Sequence, residues 1–69
     1  MFEYVEKAYG VKYHIGQRVT AYGKPGTIVK DFGHYIGVRL DEVGPKGFIG
    51  RYHPVDGIEP ILWEEENEV

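Results

Sequence analysis

The 69-residue chain contains neither cysteine nor serine. Without Cys no disulfide framework and no thiolate metal site can form. Without Ser or Cys the usual nucleophiles of hydrolase triads are missing, and Thr20 and Thr27 are the only aliphatic hydroxyls. No stretch approaches the ~20 apolar residues that span a bilayer. The first residues carry Glu3 and Glu6 where a signal peptide carries bases. A reducing, cytoplasmic setting with no membrane association is therefore expected. Clustered basic charge is lacking as well. Lys24, Lys30, Arg39, Lys46 and Arg51 are spaced singly, which argues against nonspecific duplex binding driven by counterion release.

Catalytic and metal signatures are equally thin. His14, His34 and His53 lie about twenty residues apart, unlike the close ligand pairs of metal sites. Asp41 and Glu42 are neighbours, and neighbours on a strand point to opposite faces. Gly44-Pro45-Lys46-Gly47 has glycines and a Lys but neither P-loop spacing nor a following helix. The chain is read as non-enzymatic, with no cofactor and no metal.

What the sequence does have is a run of short apolar stretches, cut every few residues by Gly, Pro or Asp, through residues 16–63. One domain fits this length, and such a chain buries only about 60% of its unfolded surface. Residues 1–15 form a separate N-terminal segment. There Phe2, Val5, Ala8 and Tyr9 have the spacing of one helical face with Gly10 as a stop, while Tyr4, Tyr9, Val11 and Tyr13 would also suit an extended arm. Residues 64–69 form an acidic tail with Glu64, Glu65, Glu66 and Glu68; the net charge of the chain is −3, and without this tail the body is close to neutral.

Within the Gly-punctuated run, strands are expected over 17–22, 27–32, 35–40, 48–53 and 58–62. Turns fall at Gly23-Lys24-Pro25-Gly26, at Gly33-His34 and at 54–57, with a longer loop over 41–47. Gly33-His34 between two strand-like runs predicts a hairpin with a two-residue type II′ turn. Five short strands joined this way predict an all-β fold, a small SH3-like barrel.

A two-residue turn at Gly33-His34 pairs residues whose numbers sum to 67. One face then carries Thr27, Val29, Asp31, Ile36, Val38 and Leu40, mostly core. The other carries Ile28, Lys30, Phe32, Tyr35, Gly37 and Arg39. A one-residue change of register would exchange the two faces. The second face mixes aromatics and cations beside a bare Gly, a surface suited to stacking on a ligand or gripping a peptide. Six Tyr, three Phe and one Trp are many for this length, and Tyr is favoured at interfaces.

Gly16-Gln17-Arg18-Val19, Gly26-Thr27-Ile28, the run Tyr35-Ile36-Gly37-Val38-Arg39-Leu40-Asp41-Glu42, the glycines of 44–50 and Arg51-Tyr52 together resemble the glycine-rich CAP-Gly domains. That resemblance implies an SH3-like barrel binding acidic, aromatic-ended protein tails, with Lys46, Phe48 and Tyr52 in the groove. The family's Gly-Lys-Asn-Asp-Gly loop is here the shorter Gly44-Pro45-Lys46-Gly47. Tyr52-His53-Pro54 and Ile58-Glu59-Pro60-Ile61 are also similar to small SH3-like proteins encoded by phages and prophages. The expectation is a protein-protein interaction module, such as a phage accessory protein. Its candidate binding residues are Ile28, Lys30, Phe32, Tyr35, Arg39, Lys46, Phe48 and Tyr52. Nucleic-acid binding and homo-oligomeric assembly are the alternative readings.

Overall fold

The computed structural model of the protein describes residues 2–61; the end of the expected fifth strand, Trp63 and the acidic tail lie outside the described residues. The chain forms helix α1 (Glu3–Tyr9), strands β1 (Arg18–Ala21), β2 (Lys24–Asp31) and β3 (Ile36–Leu40), a 3₁₀ turn (Asp41–Val43), and strands β4 (Gly50–Tyr52) and β5 (Ile58–Pro60). The strands make one antiparallel sheet in the order β4-β3-β2-β1-β5, curled into a half-barrel.

The N-terminal segment is a helix rather than an arm. Seven residues are too few for a helix to stand alone in water, and packing supplies what length does not. Phe2 and Val5 are buried in one cluster with Val19, Ala21, Ile28, Ile36, Val38 and Ile58 from the sheet. Gly10 closes the helix at φ 71°, its N–H donating to the Glu6 carbonyl. Tyr13 packs against the same cluster and donates its hydroxyl to the Pro54 carbonyl at 2.5 Å. Burial raises the Tyr13 pKa above its ordinary value.

The first hairpin turns earlier than Gly23-Lys24-Pro25-Gly26. Ala21 pairs with Lys24, so the loop is Tyr22-Gly23, with φ 53° and 85°. Positive φ at both central residues matches the right-handed strand twist, as in type I′ hairpins. Tyr is strained there, and its N–H is held by the Gly57 carbonyl at 2.7 Å. Pro25 and Gly26 consequently belong to β2. Pro25 pairs with Thr20, beyond the last β2–β3 pair at Gly26 and Leu40, so its missing N–H interrupts no ladder between those strands. Gly26 is a matter of space. A Cβ there would stand 2.9 Å from both the Arg39 carbonyl oxygen and Val38 Cγ1.

The second hairpin has the expected two-residue loop. Phe32 N–H donates to the Tyr35 carbonyl at 3.0 Å, and Gly33 sits at φ 87°. Near the turn the pairs sum to 67, Asp31 with Ile36 and Lys30 with Gly37. A bulge between Ile28 and Lys30 then shifts the register, so Ile28 meets Val38 and Thr27 meets Arg39. One extra residue on one strand reverses which side chains face inward. Ile28, assigned above to the binding surface, is therefore a core residue at 0% exposure, and Val29, assigned to the core, is only half-buried.

Asp31 ties the hairpin to α1. Its carboxylate accepts the Gly33 N–H at 2.8 Å and the Phe2 N–H at 2.9 Å. These bonds, Gly33 first, hold its pKa below the ordinary 3.8. A depressed folded value stabilises the fold above the unfolded pKa and loses that contribution as pH falls through the folded one. Asp31→Asn should therefore lower the melting temperature at about pH 7, with the gap to the parent narrowing as pH falls below the ordinary 3.8. Melting curves at neutral and acid pH check this, and a gap that does not narrow in acid contradicts it.

Candidate functional site

Strand alternation assigns the outer face. The pairs Thr27 with Arg39, and Lys30 with Gly37 and Arg51, set these residues on the side away from the core. Gly37 leaves a bare backbone there, and three side chains close over it. A Cβ at Gly37 would come within 2.8 Å of Phe32 Cε2, 2.9 Å of Lys30 Cβ and 3.1 Å of Ile49 Cγ2. Two cations bracket the Phe32 ring. The Arg51 guanidinium carbon is 4.7 Å from its centroid and Lys30 Nζ is 5.8 Å from it. Each such contact is worth about 0.5–1 kcal/mol at an exposed site.

Beyond this platform a groove of about 350 Å³ runs along Thr27, Val29, Arg39 and Leu40 toward Asp41, Gly44 and Pro45. Two arginines fix its wall. Arg18 makes a bidentate pair with Asp41, Nη1 to Oδ1 at 2.7 Å and Nη2 to Oδ2 at 2.5 Å, while Nη1 also donates to Thr27 Oγ1 at 2.8 Å. Hydrogen bonding from Arg18 holds the Asp41 carboxyl below its usual range. Arg39 Nε donates to the Gly47 carbonyl at 3.2 Å. Gly47 has no room for a side chain, because its Cβ would lie 2.2 Å from Val43 Cγ2.

The charges are sorted. Among the described residues Lys12 pairs with Glu6, Arg18 with Asp41 and Lys24 with Glu42. Lys30, Arg39, Lys46 and Arg51 have no carboxylate within 4.0 Å among those residues. These four stand on the outer face or on the loop along its rim.

Of the residues singled out in the sequence, Lys30, Phe32 and Arg39 come together here. Tyr35, 48% exposed, stands at the hairpin end, while Lys46 and the 83% exposed Phe48 stand on the rim loop. Ile28 does not belong, being buried opposite Val38. Tyr52 does not either: it pairs with Ile36, packs against the core and lies 6.3 Å from the Tyr22 ring. Arg51, Ile49, Thr27 and Val29 were not among the sequence candidates. Alternation from Tyr52 would have turned Arg51 outward, but only the β3–β4 pairing shows that it reaches Phe32.

The histidines serve as ring partners. His34 stacks on Tyr4 at 4.0 Å between centroids, joining the hairpin tip to α1. His53 meets Tyr9 edge-on at 5.1 Å, and its Nδ1 accepts the N–H groups of Val55 and Asp56. Among the described residues no group of three or more His, Asp or Glu side chains is placed to hold a metal ion, and no helix is long and apolar enough to cross a membrane. Comparison with protein families, curated proteins and solved structures returns no match.

Proposed function

We propose that the protein is a non-enzymatic interaction module built on an SH3-like barrel, and that its outer β2-β3-β4 face takes an acidic peptide segment of a protein partner. The observation that carries this reading is the Phe32 ring over Gly37, bracketed by Arg51 and Lys30 with Arg39 alongside. Aromatic surface supplies buried area, and cations without carboxylates of their own supply charge-assisted contacts. The barrel reading draws on the strand order, the two tight hairpins, the single long loop before β4 and the return of β5 to β1. By the resemblances noted above, such a module would act in the cytoplasm as a phage-encoded accessory protein, with Lys46 and Phe48 on the groove rim.

Fluorescence anisotropy with the full chain tests the reading, using a labelled Glu-rich, aromatic-ended peptide and a single-stranded oligonucleotide at two salt concentrations. The peptide is expected to bind, and Arg39→Ala with Arg51→Ala to weaken it about tenfold or more, about 1.4 kcal/mol. Salt-sensitive binding of the oligonucleotide alone would turn the reading toward nucleic acid, since bases also stack on aromatics flanked by cations. Concentration-dependent sedimentation with no peptide binding would turn it toward self-assembly.

A further inference from the structure

We infer that the outer face is occupied in the free protein by the chain's own acidic end, residues 62–69, docked in cis. The inference rests on the reading of this face as one that takes acidic peptide. Charge complementarity is its first ground. Through residue 61 the chain has eight Lys and Arg against seven Asp and Glu, a balance of +1; the last eight residues carry Glu64, Glu65, Glu66 and Glu68 and no cation. Four of the five cations without a carboxylate partner among the described residues stand on this face or its rim, and the fifth, Lys7, is alone on α1.

Position is the second ground. The last described residue, Ile61, donates its N–H to the Arg18 carbonyl at 3.0 Å. Arg18 pairs with Thr27, and Thr27 with Arg39, so the chain departs about three strand spacings, ~14 Å, from Arg39 and about four, ~19 Å, from β4. β5 also runs toward the end of the sheet that carries Lys30, Gly37 and Arg51. An extended chain covers ~3.3 Å per residue. Glu65, Glu66 and Glu68, four to seven residues past Ile61, thus reach ~13–23 Å, which spans both distances. Trp63, two residues past Ile61, has a reach of ~7 Å along the same path. A tether this short gives a millimolar-range effective concentration, which favours the chain's own end over that of a second copy.

Trp63 is the only tryptophan, so its fluorescence reads the contact directly. In the full chain at low salt its emission is expected to lie to the blue of the free synthetic octapeptide of residues 62–69. It should return to the octapeptide position in about 0.5 M NaCl, where screening is nearly complete over a few ångströms. It should do the same at low salt in a Lys30→Ala, Arg39→Ala, Arg51→Ala variant, and it should not change with protein concentration. A full-chain variant with Glu64, Glu65, Glu66 and Glu68 all replaced by Gln should then bind the added octapeptide at least tenfold more tightly than the parent does.

Emission equal to that of the free octapeptide overturns the inference. So does blue emission that ignores both salt and the triple substitution, which places Trp63 elsewhere, or emission that depends on concentration, which makes the occupant a second copy. If the Gln variant binds the octapeptide while Trp63 of the parent is undocked, the tail inference fails and the acidic-peptide reading stands. If the Gln variant binds nothing, both fail.

Discussion

Ile28→Ala is expected to cost about 2–5 kcal/mol, enough to unfold much of a domain whose total stability is of order 3–5 kcal/mol. Ile28 is fully buried, pairs with Val38 and shares a cluster with Val19, Ile36 and Phe2. Truncation leaves a cavity between the sheet and α1 that neither can close without moving the other. The neighbouring Val29→Ala should cost far less, because Val29 is the half-buried residue at the bulge. Without the bulge the ranking reverses, since Ile28 would then be an outer-face residue whose truncation falls within about 0.5 kcal/mol. Denaturant titration of the two variants side by side therefore tests stability and register together, and equal midpoints would contradict the register.

Gly37→Val is expected to do the opposite: most of the fold survives and the outer face is lost. Val suits a strand, and the atoms it would crowd are Phe32 Cε2, Lys30 Cβ and Ile49 Cγ2, all side chains on the solvent side. The ring must leave the sheet, which separates it from Arg51 and Lys30. Overpacking of this kind costs about 1–3 kcal/mol of stability. Affinity for an acidic peptide should fall at least tenfold, about 1.4 kcal/mol. Circular dichroism melting with anisotropy on the same sample separates the two effects; unchanged affinity in a folded variant would show that the Phe32 platform is not the contact surface.

The sequence disclosed local chemistry and concealed register. Gly33-His34 was readable as a turn because Gly tolerates φ 87° and the flanking runs alternate. The helix was half readable, since Phe2, Val5, Ala8 and Tyr9 have helical spacing with Gly10 as a stop, while the tyrosines suit either state. Tyr22-Gly23 was not readable as a loop, because Tyr at positive φ is held by the Gly57 carbonyl, a partner 35 positions away. The bulge at Val29 was hidden for a similar reason. Counting outward from a turn assumes one residue per pair, and nothing local in Thr27-Ile28-Val29-Lys30 marks the skipped one.

The candidate site divides along the same line. Lys30 and Phe32 lie between the bulge and the turn, where the count from Gly33-His34 still holds, and both were placed correctly. Arg39 reached the right face although its expected partner, Ile28, is replaced by Thr27. Ile28 fell on the wrong side because it is the first residue past the bulge. Arg51 required the pairing of β4 with β3 across the loop from Asp41 to Ile49, a distance over which the sequence carries no register.

The central claim is that the face carrying Lys30, Phe32, Arg39 and Arg51 is an acidic-peptide interface, and amide chemical-shift mapping by NMR tests it most directly. The full chain, with its four terminal glutamates replaced by Gln, is titrated with the Glu-rich, aromatic-ended peptide. Saturable shifts at Lys30, Phe32, Gly37, Arg39, Ile49 and Arg51, weakening as salt rises, are the predicted result. Saturable shifts gathered instead on α1 and around Tyr22 and Gly57, with the outer face unmoved, would contradict it.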